Sequence, residues 1–81
     1  MRRILKRPVT PYGGLQEINA ARVLSLGEQD RLMLWYEGTD DLCEVTEYAV
    51  IGTGWPIPSG FVHKQTVICH SGLAWHLMVR P

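Results

Sequence analysis

The sequence predicts an all-β protein, built as a small antiparallel sandwich or a partly closed barrel of five to seven strands. Several segments alternate apolar and polar residues with a period of two, and these segments are rich in Val, Ile, Thr and aromatic residues. Gly, Pro, Ser or Asp ends each of them, as is typical of strands joined by turns. Because no crossover helix is evident, the strands are expected to pair sequentially and antiparallel.

Four segments have the clearest strand pattern: residues 31–36, 45–51, 61–69 and 73–79. Residues 2–7 are predicted to form another strand that ends at Pro8, because proline has no N–H to donate to a ladder. The chain has 81 residues, which is enough for one domain spanning 1–81, with residues 1–10 as a basic arm or an edge strand.

Residues 15–26 carry two conflicting patterns. Leu15, Ile18 and Leu26 follow a helical spacing, and the Ala20-Ala21 pair favours a helix. Residues 22–26, however, alternate as a strand does. We therefore predict a strand over 22–26, paired with 31–36, with a short helical turn near 15–21 as the alternative.

Ser71-Gly72 lies between two apolar runs and is predicted to form a two-residue hairpin turn. The resulting register pairs His70 with Leu73, Cys69 with Ala74, Ile68 with Trp75, and Val67 with His76. Both faces of this hairpin are then largely apolar. Such strands are buried on both faces, and a chain this short has little material for a second cover, so self-association is expected.

Formal net charge is zero, with eight Lys and Arg against eight Asp and Glu, so nucleic acid is not an expected partner. The charges are nevertheless clustered. The basic cluster comprises Arg2, Arg3, Lys6 and Arg7, and the acidic cluster comprises Glu37, Asp40, Asp41, Glu44 and Glu47. The basic residues are candidate binding residues, and one hypothesis is that the basic end of one copy meets the acidic loop of another.

The sequence predicts no catalytic residue, no metal site and no cofactor. Cys69 and His76 share a face in the predicted hairpin, but His70 points away, so too few ligands converge for zinc. Cys69 also lies among apolar residues, which disfavours a reactive thiolate. With no signal peptide and no apolar run of membrane-spanning length, we expect no membrane partner and free thiols at Cys43 and Cys69.

The most distinctive segment is residues 52–58, Gly-Thr-Gly-Trp-Pro-Ile-Pro. Gly52 and Gly54 permit backbone conformations that other residues avoid, and Pro56 and Pro58 stiffen the end of the loop. The loop either buries Trp55 as a plug at one end of the sandwich or presents it as an anchor for a partner. Tyr12 and Trp55 are the two aromatic side chains expected at the surface, and both are candidate binding residues.

On these residues the chain resembles a group of short, uncharacterised phage proteins, found especially in phages of actinobacteria. The shared pattern is a Leu-Trp pair, seen here as Leu34-Trp35, the 52–58 loop, a Thr-Val strand at 66–67, and a terminal Trp-His at 75–76. The resemblance covers roughly residues 15–78 and excludes the basic start and the cysteines. It implies a phage-encoded accessory or virion protein and supplies no catalytic residues.

Three functions are therefore expected in turn. The first is a non-enzymatic phage accessory protein of the host cytoplasm that self-associates and binds a host or phage protein, with inhibition of a host defence factor as one form. The second is an oligomeric binder of a nucleotide-type small molecule, in a pocket near Trp55 and the histidines. The third is a structural component of the virion.

Overall fold

The computed structural model describes residues 1–81 and shows seven strands and no helix. The strands are β1 (Arg3–Pro8), β2 (Gln16–Ile18), β3 (Ala20–Gln29), β4 (Arg31–Gly38), β5 (Thr46–Gly52), β6 (Val62–Ile68) and β7 (Ala74–Val79). They form two antiparallel sheets: sheet A, with the order β1-β4-β3, and sheet B, with the order β2-β5-β7-β6. The all-β prediction is confirmed, whereas the alternative of a partly closed barrel is wrong because the two sheets stay separate and open. Nothing in the chain is a helix long and apolar enough to cross a membrane.

The alternative of a helical turn near residues 15–21 is also wrong. Residues 16–18 form β2 in sheet B, and the chain passes through Asn19 directly into β3 of sheet A. The Asn19 side-chain amide donates to the carbonyls of Asp41 and Glu44, both at 2.8 Å. Helix propensity differs between ordinary residues by less than about 1 kcal/mol each, so these long-range pairings override the Ala20-Ala21 preference.

The main core lies between the two sheets. Leu34 from sheet A and Tyr48, Val50 and Leu77 from sheet B are its largest fully buried side chains. The Tyr48 hydroxyl donates to Gln16 Oε1 at 3.1 Å, which satisfies its polar end. Of the strands in sheet A, only β3 lies close to sheet B, where it contacts β5, β6 and β7. β1 therefore extends beyond the cover that sheet B provides.

A second, smaller core lies on the outer face of sheet B and comprises Ala49, Ile51, Phe61 and Met78. Part of its cover is the chain's own 53–61 segment, which folds back over the strands and ends at Phe61. The Arg80 guanidinium lies over the Phe61 ring at 4.7 Å and adds a cation–π contact. The expectation that these strands need a second subunit to bury both faces is therefore wrong in its reasoning, since the loop between β5 and β6 supplies much of the cover.

The predicted register of the last hairpin is wrong by one residue. Ile68 pairs with Ala74, Val67 with Trp75, and Thr66 with His76. The loop has three residues, 70–72: the Cys69 N–H donates to the Leu73 carbonyl, and the Gly72 N–H donates to the Cys69 carbonyl, both at 2.9 Å. Gly72 has a φ of 88°, as the last residue of such a loop requires. Cys69 consequently joins the main core, while His76 lies on the opposite, outer face of sheet B.

Candidate functional site around Trp55

The 52–58 loop begins with a tight turn that fixes the position of Trp55. The Trp55 N–H donates to the Gly52 carbonyl at 3.1 Å, and Gly54, the third residue of the turn, has a φ of 88°. This is the arrangement of a type II turn, which favours glycine at that position. Pro56 and Pro58 follow and restrict the exit of the loop. All four predicted loop residues thus lie in the segment that holds Trp55.

The Trp55 ring packs directly against two glycines and a second tryptophan. A Cβ at Gly52 would lie 2.9 Å from Trp55 Cε2, and one at Gly13 would lie 3.2 Å from Cε3, so the ring occupies space that larger residues would fill. The Trp55 and Trp75 rings meet edge to face, with centroids 5.7 Å apart and an interplanar angle of 74°. Trp55 still keeps 40% of its surface exposed. It is both the plug and the exposed aromatic that the sequence suggested as alternatives.

Three depressions meet at Trp55. One lies on the outer face of sheet B, has a volume of about 260 Å³, and is lined in part by Thr53, His63 and His76. The second is bordered by Leu73 and Trp75, and the third by Tyr12 and Pro56. We call Trp55 and the residues bordering these depressions the Trp55 surface. The structure thus brings together the two predicted binding aromatics, Tyr12 and Trp55.

A chain of hydrogen bonds runs along one wall of the first depression. Thr53 Oγ1 lies 2.9 Å from His76 Nε2, His76 Nδ1 lies 2.9 Å from Thr66 Oγ1, and Thr66 Oγ1 lies 2.8 Å from His63 Nε2. Both ring nitrogens of His76 are therefore engaged, which fixes the orientation of the ring. Each hydroxyl donates one hydrogen bond and accepts others, so the chain is satisfied with its donors running in either direction.

Sequence reasoning noticed the two histidines but missed this chain. Thr66 is directly opposite His76 in the observed register, so a correctly placed three-residue loop would have found that contact. The contact of Thr53 with His76 has no sequence signal, because it depends on how the 53–61 segment folds back onto sheet B.

The residues considered for metal binding or thiol chemistry do not converge. Cys69 is buried in the main core, and burial raises the pKa of its thiol, with the nearby Glu28 carboxylate a smaller cause. His70 lies at the hairpin loop, where Glu28 accepts hydrogen bonds from its N–H and its Nδ1, both at 2.8 Å. No group of three His, Cys, Asp or Glu side chains is placed to hold a metal ion. Cys43 is exposed and remote in sequence from these residues.

The four basic candidate residues lie apart from Trp55. Arg3, Lys6 and Arg7 are in β1, and none of the depressions that border Trp55 includes them. Arg2 pairs within its own chain, with Glu37 at 3.2 Å and Glu44 at 3.5 Å. The acidic cluster thus neutralises part of the basic cluster of the same molecule, which removes the main argument for charge pairing between copies.

Fold and site together define a small two-sheet β protein with a partly exposed tryptophan held rigidly at one end. The chain matches, over residues 1–81, a family described as Domain of unknown function (DUF7352), and it belongs to that family. Searches of curated proteins and of solved structures found no match to it.

Proposed function

We propose that this protein is a non-enzymatic, phage-encoded accessory protein that binds a host or phage protein through the Trp55 surface. The observation that carries this proposal is the state of Trp55, which is 40% exposed and yet fixed by Gly13, Gly52 and Trp75. A side chain that is already held in place loses little conformational freedom on binding, and tryptophan is among the residues most enriched at binding hot spots.

The surroundings of Trp55 favour a protein partner. Tyr12, Ile57 and Leu73 are all more than half exposed and lie around the same three depressions. Aromatic and aliphatic anchors beside shallow pockets are typical of protein interfaces, where a partner's apolar side chain fills each pocket. The phage origin rests on the resemblance of the 52–58 loop and the Trp75-His76 pair to short phage proteins.

The composition of the site favours binding over catalysis. Thr53, His76 and Thr66 have the order of a nucleophile, a base and an orienting group. The nucleophile, however, would be a secondary alcohol, and the orienting group is a neutral hydroxyl that cannot stabilise a charged imidazole as a carboxylate does. The depression also contains no Asp, Glu, Lys or Arg side chain to stabilise a developing charge.

The test compares wild type with Trp55→Ala as bait in lysates of phage-infected host cells, with quantitative mass spectrometry of the retained proteins. Leu42→Ala is the matched control, because Leu42 is another exposed apolar side chain (83%) but precedes β5, whereas Trp55 follows it. We expect one partner retained equally by wild type and Leu42→Ala, and reduced about thirtyfold for Trp55→Ala, as a hot-spot loss of about 2 kcal/mol implies. Equal retention by Trp55→Ala would contradict the proposal.

A second candidate function is binding of a nucleotide-type small molecule in the depression beside His63 and His76. Its support is the combination of apolar walls, which include Ile51 and Met78, with a fixed row of hydroxyl and imidazole groups. A panel of nucleotides and nucleosides should then raise the melting temperature of wild type but not of His76→Leu. A flat response across the panel removes this candidate.

Self-association also remains a prediction. Its remaining structural support is a set of exposed apolar side chains on β6 and the hairpin that follows, namely Val62, Ile68 and Leu73. Native mass spectrometry of the purified chain reports the copy number directly. A monomer at micromolar concentration would restrict the proposal to a partner of different sequence.

A further inference from the structure

Strand β1 has an open hydrogen-bonding edge. It is the outermost strand of sheet A and pairs only with β4. Val9 continues the register of β1, and its N–H donates to the Leu32 carbonyl at 2.9 Å. Because hydrogen-bonding residues alternate along an antiparallel strand, residues 3, 5 and 7 also face β4. The N–H and C=O groups of Ile4 and Lys6 therefore point away from the sheet.

This edge is accessible and positively charged. All six residues of β1 are exposed, including the apolar Ile4 (71%) and Leu5 (43%), and sheet B does not reach the strand. Arg3, Lys6 and Arg7 form no ion pair with a carboxylate within the chain; Lys6 instead hydrogen-bonds to Gln29. Three unneutralised cations thus flank two unpaired main-chain positions.

The charges select the kind of strand that this edge accepts. A second copy pairing antiparallel about Leu5 would place Arg3 opposite the second copy's Arg7 at both ends of the ladder. Like charges directly opposite each other destabilise a strand pair, so β1 is protected against its own copies. An acidic strand meets the same positions with opposite charge, and the apolar Ile4 and Leu5 lie between them.

We propose that the β1 edge binds an extended acidic segment of a partner protein, which adds antiparallel to sheet A as a fourth strand. Main-chain hydrogen bonds to Ile4 and Lys6 supply the pairing, and carboxylates opposite Arg3, Lys6 and Arg7 supply the selectivity. Pro8 ends the ladder because it has no N–H. This site lies apart from the Trp55 surface, so it goes beyond the function proposed above and does not depend on it.

The test uses the full chain and an acetylated, amidated probe peptide, Thr-Glu-Glu-Val-Val-Glu-Thr. Its glutamates lie opposite Arg7, Lys6 and Arg3 in the antiparallel register, and its valines lie opposite Leu5 and Ile4. Amide hydrogen exchange measured by NMR should show at least about tenfold slower exchange at Ile4 and Lys6 with saturating peptide. The amides of residues 3, 5 and 7 should change less, because β4 already pairs them.

Two control peptides separate strand addition from simple charge attraction. The first replaces each glutamate with lysine and is expected not to bind. The second keeps the glutamates but is N-methylated at the second glutamate and the second valine, which face Lys6 and Ile4, so it cannot donate the required hydrogen bonds.

Two protein variants test the charge requirement. Arg7→Glu should weaken binding of the acidic probe about tenfold, whereas Lys64→Glu, the same charge change on β6 of sheet B, should leave it unchanged. Equal binding of any control peptide, or no added protection at Ile4 and Lys6, would overturn the proposal. So would a dimer in which these two amides are protected without peptide, because a second copy would then occupy the edge.

Discussion

The side-chain amide of Gln65 binds both main-chain groups of Leu26. Gln65 Oε1 accepts from the Leu26 N–H, and Gln65 Nε2 donates to the Leu26 carbonyl, both at 2.8 Å. Leu26 lies in β3, at the edge of sheet A, and Gln65 lies at the bulge of β6 in sheet B. One amide therefore takes the place of a neighbouring strand and joins the two sheets.

Replacing Gln65 with leucine should destabilise the protein. The variant keeps similar volume but leaves the Leu26 N–H and C=O unpaired, which should lower the free energy of unfolding by about 1–3 kcal/mol. Urea denaturation measures the change. The control is Lys64→Ala, an exposed neighbour on β6, which should change stability by less than about 0.5 kcal/mol. Similar stability of the two variants would show that the link contributes little.

Alanine at three glycines should separate backbone strain from displacement of Trp55. Gly54 and Gly72 both have a φ of 88° and open space around them, so each substitution should cost about 1–2 kcal/mol through conformation alone. Gly52→Ala instead puts a methyl group 2.9 Å from the Trp55 ring and should move it away from Trp75. Near-ultraviolet circular dichroism should therefore change for Gly52→Ala and stay unchanged for Gly72→Ala. An unchanged spectrum for Gly52→Ala would contradict the packing described here.

Stability should depend on pH through Glu28. The His70 backbone N–H is the main cause that lowers the pKa of Glu28 in the folded protein, and the His70 imidazole adds to it. A carboxyl whose folded pKa is lowered stabilises the protein above its ordinary pKa of about 4.3, and this contribution disappears as the pH falls through the folded pKa. The stability difference between wild type and Glu28→Gln should therefore shrink between about pH 5 and pH 2. A difference that stays constant in urea denaturation over that range would rule out this linkage.

The two thiols should react at very different rates. Cys43 is exposed, whereas Cys69 is 8% exposed and burial raises the pKa of its thiol, so less of it is present as the reactive thiolate. Iodoacetamide at about pH 8 should modify Cys43 in the folded protein and Cys69 only after denaturation. Mass spectrometry of peptides from wild type and Cys43→Ser reports each site. Comparable rates in the folded state would place Cys69 at the surface.

Local patterns predicted where the strands lie, because alternation and turn residues are properties of neighbouring positions. The predicted segment 31–36 lies within β4, and 45–51 differs from β5 by one residue at each end. Local patterns could not choose the hairpin register. Gly72 suits both a two-residue and a three-residue loop, and a shift of one position moves every side chain to the other face.

The features that build the candidate site depend on contacts between distant segments. Trp55 and the 52–58 loop were recognisable from composition, since glycine and proline restrict or free the backbone locally. The covering of sheet B by the 53–61 segment, and the contact of Thr53 with His76, require the folded arrangement. The same is true of Gln65, whose sequence neighbours give no sign that it binds Leu26.

The passage of the chain through Asn19 makes the two halves of the sequence mutually dependent. Sheet A is built wholly from the first half, but sheet B takes β2 from the first half and β5, β6 and β7 from the second. A fragment that ends after β4 would carry a strand with no sheet to join, and the complementary fragment would lack its outermost strand. A cut in the loop between β4 and β5 should therefore yield two pieces that fold only when mixed, which makes this protein a natural scaffold for a split reporter.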